Sequence, residues 1–244
     1  RDLHLSLRRQ RQMCIRDRTK TVGRISLEQR IMENYKQQIE EMIKVCNLHA
    51  TSYPGGREIH WTVQKAMRMI PRHNFVPHFP YEDRPVPIGH KQTISQPFIV
   101  AYMTDMLNIS PLHTVLEIGT GSGYQAAVLS EVALRVFTVE RIKALAKQTK
   151  ILLDHYSNVH MKVGNGFEGW KENGPYDRIM VTAMPDKVPE ALIDQLKDGG
   201  KMIIPVKGDL ILITKTGKTY TQKSLIGVRF VPVSYTHLTL PTKA

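Results

Sequence analysis

Three glycines at alternate positions, Gly119, Gly121 and Gly123, sit in the stretch "VLEIGTGSGYQAAVLSE" between an apolar run and a helix-like segment. A strand that runs into a glycine turn and then a helix builds a ligand site at the strand's carboxyl end. Bare backbone there lets a nucleotide approach closely. A dinucleotide pyrophosphate asks for the spacing G-x-G-x-x-G. Tyr124 stands where the third glycine of that pattern would fall, which argues against pyrophosphate. Glu117, two residues ahead of Gly119, places a negative charge at the strand tip. Such a charge repels phosphate and suits a cationic ligand.

Glu140 closes the next strand-like run, "RVFTVE", 21 residues after Gly119. A carboxylate at that point is placed to accept from both hydroxyls of a ribose. The run "VGNG" then brings Asn165 and Gly166 to the end of a third strand, where an amide side chain can meet an adenine amino group. Thr120 in the glycine loop and Thr182 in "VTA" are further residues expected on the cofactor side. The set fits adenosine with a charged amino-acid tail and no phosphate, which is S-adenosylmethionine.

Around these residues the chain alternates between short apolar runs and helical spacing. "TVLEIG", "RVFTVE", "VHMKVGN" and "YDRIMVTAM" read as strands, with "YQAAVLSEV" and "IKALAKQTKILLDHY" as helices between them. "VPEALIDQLKDGG" reads as a helix closed by Gly199 and Gly200, and "KMIIPV", "LILITKT" and "LIGVRFVPV" as late strands. This order predicts an α/β fold: a doubly wound, mostly parallel sheet with helices on both faces and an antiparallel edge near the C-terminus. Upstream, Leu27, Ile31, Tyr35, Ile39, Met42 and Ile43 recur at threes and fours, which predicts a helix to about Leu48 capped by Ser26. A second helix is expected from about Glu58 to Ile70, ended by Pro71. The proline-rich segment "NFVPHFPYEDRPVPIGHKQTISQP" reads as an ordered extended loop, and "PFIVAYMTDMLNI" returns to helical spacing.

The net charge of +12 invites a nucleic-acid reading, but its location weakens it. Six arginines against two aspartates fall within residues 1–18, and the remaining excess is spread along the chain. No run reaches the roughly 18 apolar residues of a spanning helix. Cys14 and Cys46 lie 32 positions apart with no metal-ligand spacing, so no metal site or disulfide scaffold is expected and a cytoplasmic setting is the default. Residues 1–18, with "RQMCIRDR", and 233–244, with "SYTHLTLPTKA", read as foreign to the fold, like translated sequencing-adapter read-through. That leaves residues 19–232 as one expected domain: helices and a substrate and cofactor loop over 19–96, and a cofactor-binding α/β core over 97–232.

From about Arg57 to Pro232 the chain resembles the protein-L-isoaspartate O-methyltransferase family. The resemblance rests on "AMRMIPRHNFVP", "RPVPIGHKQTISQPFIVAYM", the glycine stretch, "NGFEGW", "PYDRIMVTA" and "VPEALIDQLKDGGKMIIPV", of which "QTISQP" and "GFEGW" are the most specific. It implies methyl transfer from S-adenosylmethionine to the free carboxylate of isoaspartyl residues in damaged proteins, by a cytoplasmic enzyme, usually monomeric, that engages neither nucleic acid nor membrane. It also implies that Ser95 is the active-site hydroxyl, with Gln92, Thr93 and Ile94 along the same cofactor-facing loop. Lys91 stands where the family usually has glycine, Asn165 where it has aspartate, and Met184 where it has a small residue near the cofactor. Trp170 is expected to be a packing anchor, and His60, His73, His78 and His90 surface or loop residues. Two rivals stay open. One is a methyltransferase of nucleic acid or amide nitrogen, against which "VTAMPD" counts because it lacks an Asn/Asp-Pro-Pro-aromatic run. The other is a catalytically silent module that binds cofactor or damaged protein.

Overall fold

The computed structural model describes residues 26–231, so the two end segments that read as foreign lie outside the described residues. The chain divides into two compact units between Gln38 and Ile39. The first contributes the start of helix α1 (Leu27–Ser52). Ser26 Oγ accepts from the Gln29 N–H at 3.1 Å while Gln29 Oε1 accepts from the Ser26 N–H at 2.9 Å. This reciprocal cap satisfies two amides that a helix start would otherwise leave unpaired. Leu27 and Ile31 are exposed there, so the expected apolar stripe is not buried along its whole length.

In the second unit the end of α1 buries Ile39, Met42, Ile43, Cys46 and Ala50. Helix α2 spans Trp61–Met69, with His60 Nδ1 accepting from the Thr62 N–H at its start. The segment expected to be an extended loop holds a two-stranded antiparallel hairpin, β1 (Val86–Gly89) and β2 (Gln92–Ile94). Its two-residue turn puts His90 and Lys91 at φ 51° and 57°. Turns with two positive φ values match the twist of paired strands. Neither residue type signals that conformation, which explains why the hairpin was not anticipated. Helix α3 (Pro97–Met106) follows, with Pro97 in its first turn.

A seven-stranded sheet forms the body: β3 (Thr114–Ile118), β4 (Arg135–Glu140), β5 (Val159–Val163), β6 (Tyr176–Val181), β7 (Leu196–Val206), β8 (Asp209–Thr216) and β9 (Thr219–Gly227). The order across it is β5-β4-β3-β6-β7-β8-β9, parallel from β5 through β7 and antiparallel beyond. Helices α4 (Tyr124–Ser130), α5 (Lys143–Leu153) and α6 (Glu190–Asp194) flank it. This is the doubly wound architecture read from the alternating pattern.

Two late segments differ from expectation. Helix α6 stops at Asp194, and Gly199 and Gly200 lie inside β7 rather than closing a helix. Pairing with β6 at Leu196, and with β6 and β8 from Lys201, overrides the local helical spacing, and the two glycines lie in the interruption where the β6 ladder shifts register. The last strand is the polar run Thr219–Gly227, while Val228–Val231 leaves the sheet. Mostly exposed, β9 lacks the alternation that would betray it.

Strand β3 is buried at every position, and along β3 and β4 side chains alternate between the two faces. Leu116, Ile118, Phe137 and Val139 pack on one side with Tyr176, Leu192 and Met202. Trp170 packs against this cluster, its ring edge-on to Phe137 at 5.4 Å. Glu117, Thr138 and Glu140 occupy the alternate positions. The strands' carboxyl ends share one rim, and the chain reverses its direction of travel across the sheet between β3 and β6. In open α/β sheets ligands bind at that switch point.

Candidate active site

A cavity of about 450 Å³ opens at the β3/β6 switch point. Gly119, Thr120, Gly121, Glu140, Asn165, Gly166 and Thr182 line it, together with Gln92, Thr93, Ile94 and Ser95. Residues drawn from "QTIS", the glycine loop, "RVFTVE", "VGNG" and "VTA" thus converge on one space.

The glycine loop is built so that side chains are excluded. Gly119 has φ 100°, and an added Cβ would lie 2.5 Å from Thr182 Oγ1. That hydroxyl lies 3.0 Å and 2.8 Å from the Ile118 and Gly119 carbonyl oxygens and donates to them, so Thr182 braces the loop. Gly123 heads α4 at φ 89°, where a Cβ would come within 2.8 Å of Thr149 Cγ2. Thr149 Oγ1 in turn donates to the Gly121 carbonyl at 2.6 Å. Gly119→Ala combines a strained φ with overlap, so it is expected to cost about 1–3 kcal/mol of stability and to reduce donor binding. Thermal melts with and without S-adenosylhomocysteine check this; a variant that melts and responds like the wild type would contradict it.

Glu140 is buried at the end of β4 with its carboxylate at the cavity wall. The Gly121 N–H donates to Oε2 at 2.9 Å and the Ile142 N–H to Oε1 at 2.8 Å. Each oxygen keeps lone pairs for a further donor, so the group is held in place and can still accept from two ligand hydroxyls.

Glu117 behaves differently from the expectation of a direct cofactor contact. It is fully buried and does not line the cavity: it shares a sheet face with Glu140 but pairs with Thr138, two residues short of the strand end where Glu140 reaches the cavity. Thr138, its cross-strand partner on β4, donates to Oε2 at 2.5 Å, and Thr138 and Thr120 hydroxyls lie 2.6 Å apart. Oε1 has no partner among the described residues. Burial pushes the carboxyl pKa up to about 8; the Thr138 hydrogen bond opposes this and the nearby Glu140 charge adds to it. The folded protein therefore holds this proton more tightly than the unfolded chain does. Stability is full below the ordinary carboxylate value of 4.5 and falls as pH rises toward 8. Glu117→Gln is expected to leave stability at pH 4.5 nearly unchanged and to raise it at pH 8.5 by about 2 kcal/mol. Urea denaturation at both pH values tests this, and an equal change at the two would contradict it.

Ser95 follows β2 and lines the cavity. Its carbonyl accepts from Arg72 Nη2 at 2.7 Å. The next turn is held by Asp83, which accepts from Gln96 Nε2 and from the Phe98 N–H, both at 2.8 Å. Phe98 lies in the first turn of α3, so Asp83 satisfies an amide that the helix itself cannot. His49 Nδ1 approaches the same carboxylate at 2.8 Å.

Residues 48–237 match the family model for protein-L-isoaspartate(D-aspartate) O-methyltransferase. The chain belongs to this family. A Dictyoglomus thermophilum protein-L-isoaspartate O-methyltransferase is 52% identical over 181 residues, covering 70% of this chain and 82% of that one. The Gloeobacter violaceus protein of the same name is 47% identical over 183 residues, covering 70% and 89%. A solved protein-L-isoaspartate O-methyltransferase superposes with TM-score 0.72 at 28% identity, over 81% of this chain and 66% of the other. A Plasmodium falciparum structure, described as a beta-aspartate methyltransferase in complex with S-adenosyl-L-homocysteine, gives 0.68 at 25% identity, over 82% and 98%.

The three departures from the family pattern have distinct placements. Lys91 adopts the positive φ that glycine would take freely, at a cost of about 1 kcal/mol. Asn165 lines the cavity, but its Oδ1 accepts from the Phe167 N–H at 3.1 Å and its Nδ2 donates to Glu168 at 3.0 Å. Only the second lone pair of Oδ1 remains for an adenine amino group. Met184 does not line the cavity; its N–H donates to the Val231 carbonyl at 3.1 Å and ties down the chain after β9. An added Cβ at Gly166 would overlap Ile118 Cγ2, so that glycine permits close approach of "VGNG" to β3.

Several cavity residues had no sequence signal. His49 and Tyr53 come from the end of α1 and the turn after it, and Val228–Val231 from beyond β9. Each reaches the site only through tertiary packing. The polar-aromatic segment "RFV" after "LIG" was the one available hint, and its reading as a strand concealed it.

Proposed function

We propose that this chain transfers the methyl group of S-adenosylmethionine to the free carboxylate of isoaspartyl residues in damaged proteins, the first step of their repair. The observation that carries this is the meeting, in one cavity, of a phosphate-free glycine loop, the doubly anchored Glu140 carboxylate and Ser95. The residues present fit the donor. The loop excludes a Cβ at the cavity-lining Gly119, and Glu140 offers two acceptor oxygens to a ribose; Gly123, which does not line the cavity, instead lets the loop pack against Thr149 and Leu153. Tyr124 is buried where a third dinucleotide glycine would be needed.

When bound, S-adenosylmethionine supplies an electrophilic methyl on a sulfonium. A substrate carboxylate is already ionised near neutral pH and is itself the nucleophile. In the displacement its oxygen forms the new bond to the methyl carbon as the sulfur–carbon bond breaks, with the electron pair left on sulfur. No proton moves, so no general base is needed and the chain's task is placement. With donor bound, Glu140 would hold its sugar, residues 119–122 would seat its amino-acid part, and Ser95 would donate a hydrogen bond that orients the carboxylate. Gln92, Thr93 and Ile94 wall the path between the two.

The proposal extends to a monomeric cytoplasmic enzyme acting on protein rather than on nucleic acid or membrane. The basic charge between residues 19 and 232 is scattered, which counts against a nucleic-acid substrate; among the described residues no helix is long and apolar enough to cross a membrane. Methyl-labelled donor with paired isoaspartyl and aspartyl peptides tests the activity. Label is expected on the isoaspartyl peptide alone, and equal labelling of both or of neither would refute it.

A further inference from the structure

Arg72 is fully buried, yet it has no ion pair among the described residues. Its Nη2 donates to the Ser95 carbonyl at 2.7 Å, and its Cζ lies 4.9 Å from the centre of the Tyr124 ring. Nε and Nη1 are buried with no hydrogen-bond partner among the described residues. A guanidinium in this state is costly, since desolvation is met by one hydrogen bond and one ring face. Burial draws its pKa down to about 10, partly offset by Tyr124, Cys46, Asp83 and Tyr81 around it. A long apolar side chain would serve folding better at this place.

What the guanidinium uniquely does is bridge two loops. Ser95 belongs to the loop on the substrate side, while Tyr124 opens the helix that follows the glycine loop. We propose that Arg72 is a positioning residue for methyl transfer, holding the Ser95 peptide against the start of α4 so that the hydroxyl faces the cavity. Fixing the carbonyl fixes the peptide plane from which the Ser95 side chain departs. Asp83 completes the arrangement from the other direction through Gln96 and Phe98. The inference rests on the proposed reaction for its kinetic readout, and hydrogen exchange provides a readout that does not.

The test is Arg72→Met, alone and combined with Ser95→Ala. The melting temperature is expected to stay level or rise, because a buried unpaired charge is replaced by an apolar chain of similar length. Amide exchange over residues 93–98 is expected to quicken. Turnover of an isoaspartyl peptide should fall by about tenfold or more while affinity for S-adenosylhomocysteine changes by less than about threefold. In the Ser95→Ala background, Arg72→Met should change turnover by less than about twofold, since it acts through a group already gone. Multiplicative losses, or exchange over 93–98 like the wild type, would overturn the proposal. Should Arg72→Met fail to fold, Arg72→Lys carries the same coupling test: loss of the second mutation's effect supports the role and additive losses overturn it. A wild-type chain that ignores isoaspartyl peptides would defeat the proposed reaction, and the exchange result would still decide the placement of Arg72.

Discussion

Glu140→Ala is expected to weaken binding of S-adenosylhomocysteine by about 10²–10⁴-fold while the protein stays folded. Two ligand hydroxyls lose a charged acceptor, at roughly 1.5–3 kcal/mol each. The same substitution frees the Gly121 and Ile142 amides, so the glycine loop loses one of the bonds that shape it. Glu140→Gln separates these contributions, because it keeps an acceptor oxygen for one amide while giving up the charge. Its loss should fall between the wild type and Ala. Calorimetric titration measures all three, and a Glu140→Ala protein that binds within about threefold of the wild type would remove Glu140 from the site.

Ser95→Ala is expected to lower turnover by about 10²-fold with S-adenosylhomocysteine affinity nearly unchanged. Ser95 lines the cavity after β2, its carbonyl held by Arg72, while Asp83 holds the Gln96 side chain and the Phe98 N–H just beyond it. A group so fixed contributes through orientation of the carboxylate, and misplacement of about 1 Å can cost that much. The neutral hydroxyl makes no difference to a donor held by Glu140 and the glycine loop. Steady-state kinetics with an isoaspartyl peptide, beside calorimetry, reads the two effects separately. Parallel loss of turnover and of donor affinity would show that Ser95 shapes the cavity rather than the reaction.

The parts of this molecule that were legible in the sequence are those whose signals are local. Side-chain-free positions at 119, 121 and 123 mark a turn by their identity, and Glu140 is found by counting along a strand. The alternation of apolar runs and helical spacing gave the sheet and its antiparallel edge. The parts that were not legible depend on distant partners. Gly199 and Gly200 looked like a helix stop because nothing nearby tells of the strand that surrounds them, paired with β6 at Leu196 and with β6 and β8 from Lys201. The hairpin before α3 turns on His90 and Lys91 at positive φ, which neither residue type announces. Glu117 was legible as an acid beside the loop but not as one buried below the cavity, since its depth is set by its pairing with Thr138, two residues before Glu140 on β4. Arg72, between a proline and a histidine, carries no local sign of its burial. Residues 228–231 join the site through distant backbone tethers, the Val228 N–H donating to the Gly208 carbonyl and the Met184 N–H to the Val231 carbonyl.

The most direct measurement is a calorimetric titration of the folded protein with S-adenosylhomocysteine, run beside the dinucleotide NAD. Saturable heat with one adenosyl ligand per chain, and none with the dinucleotide, is the expected result. Heat from the pyrophosphate-bearing ligand alone, or from neither, would contradict a site built to seat adenosine without phosphate.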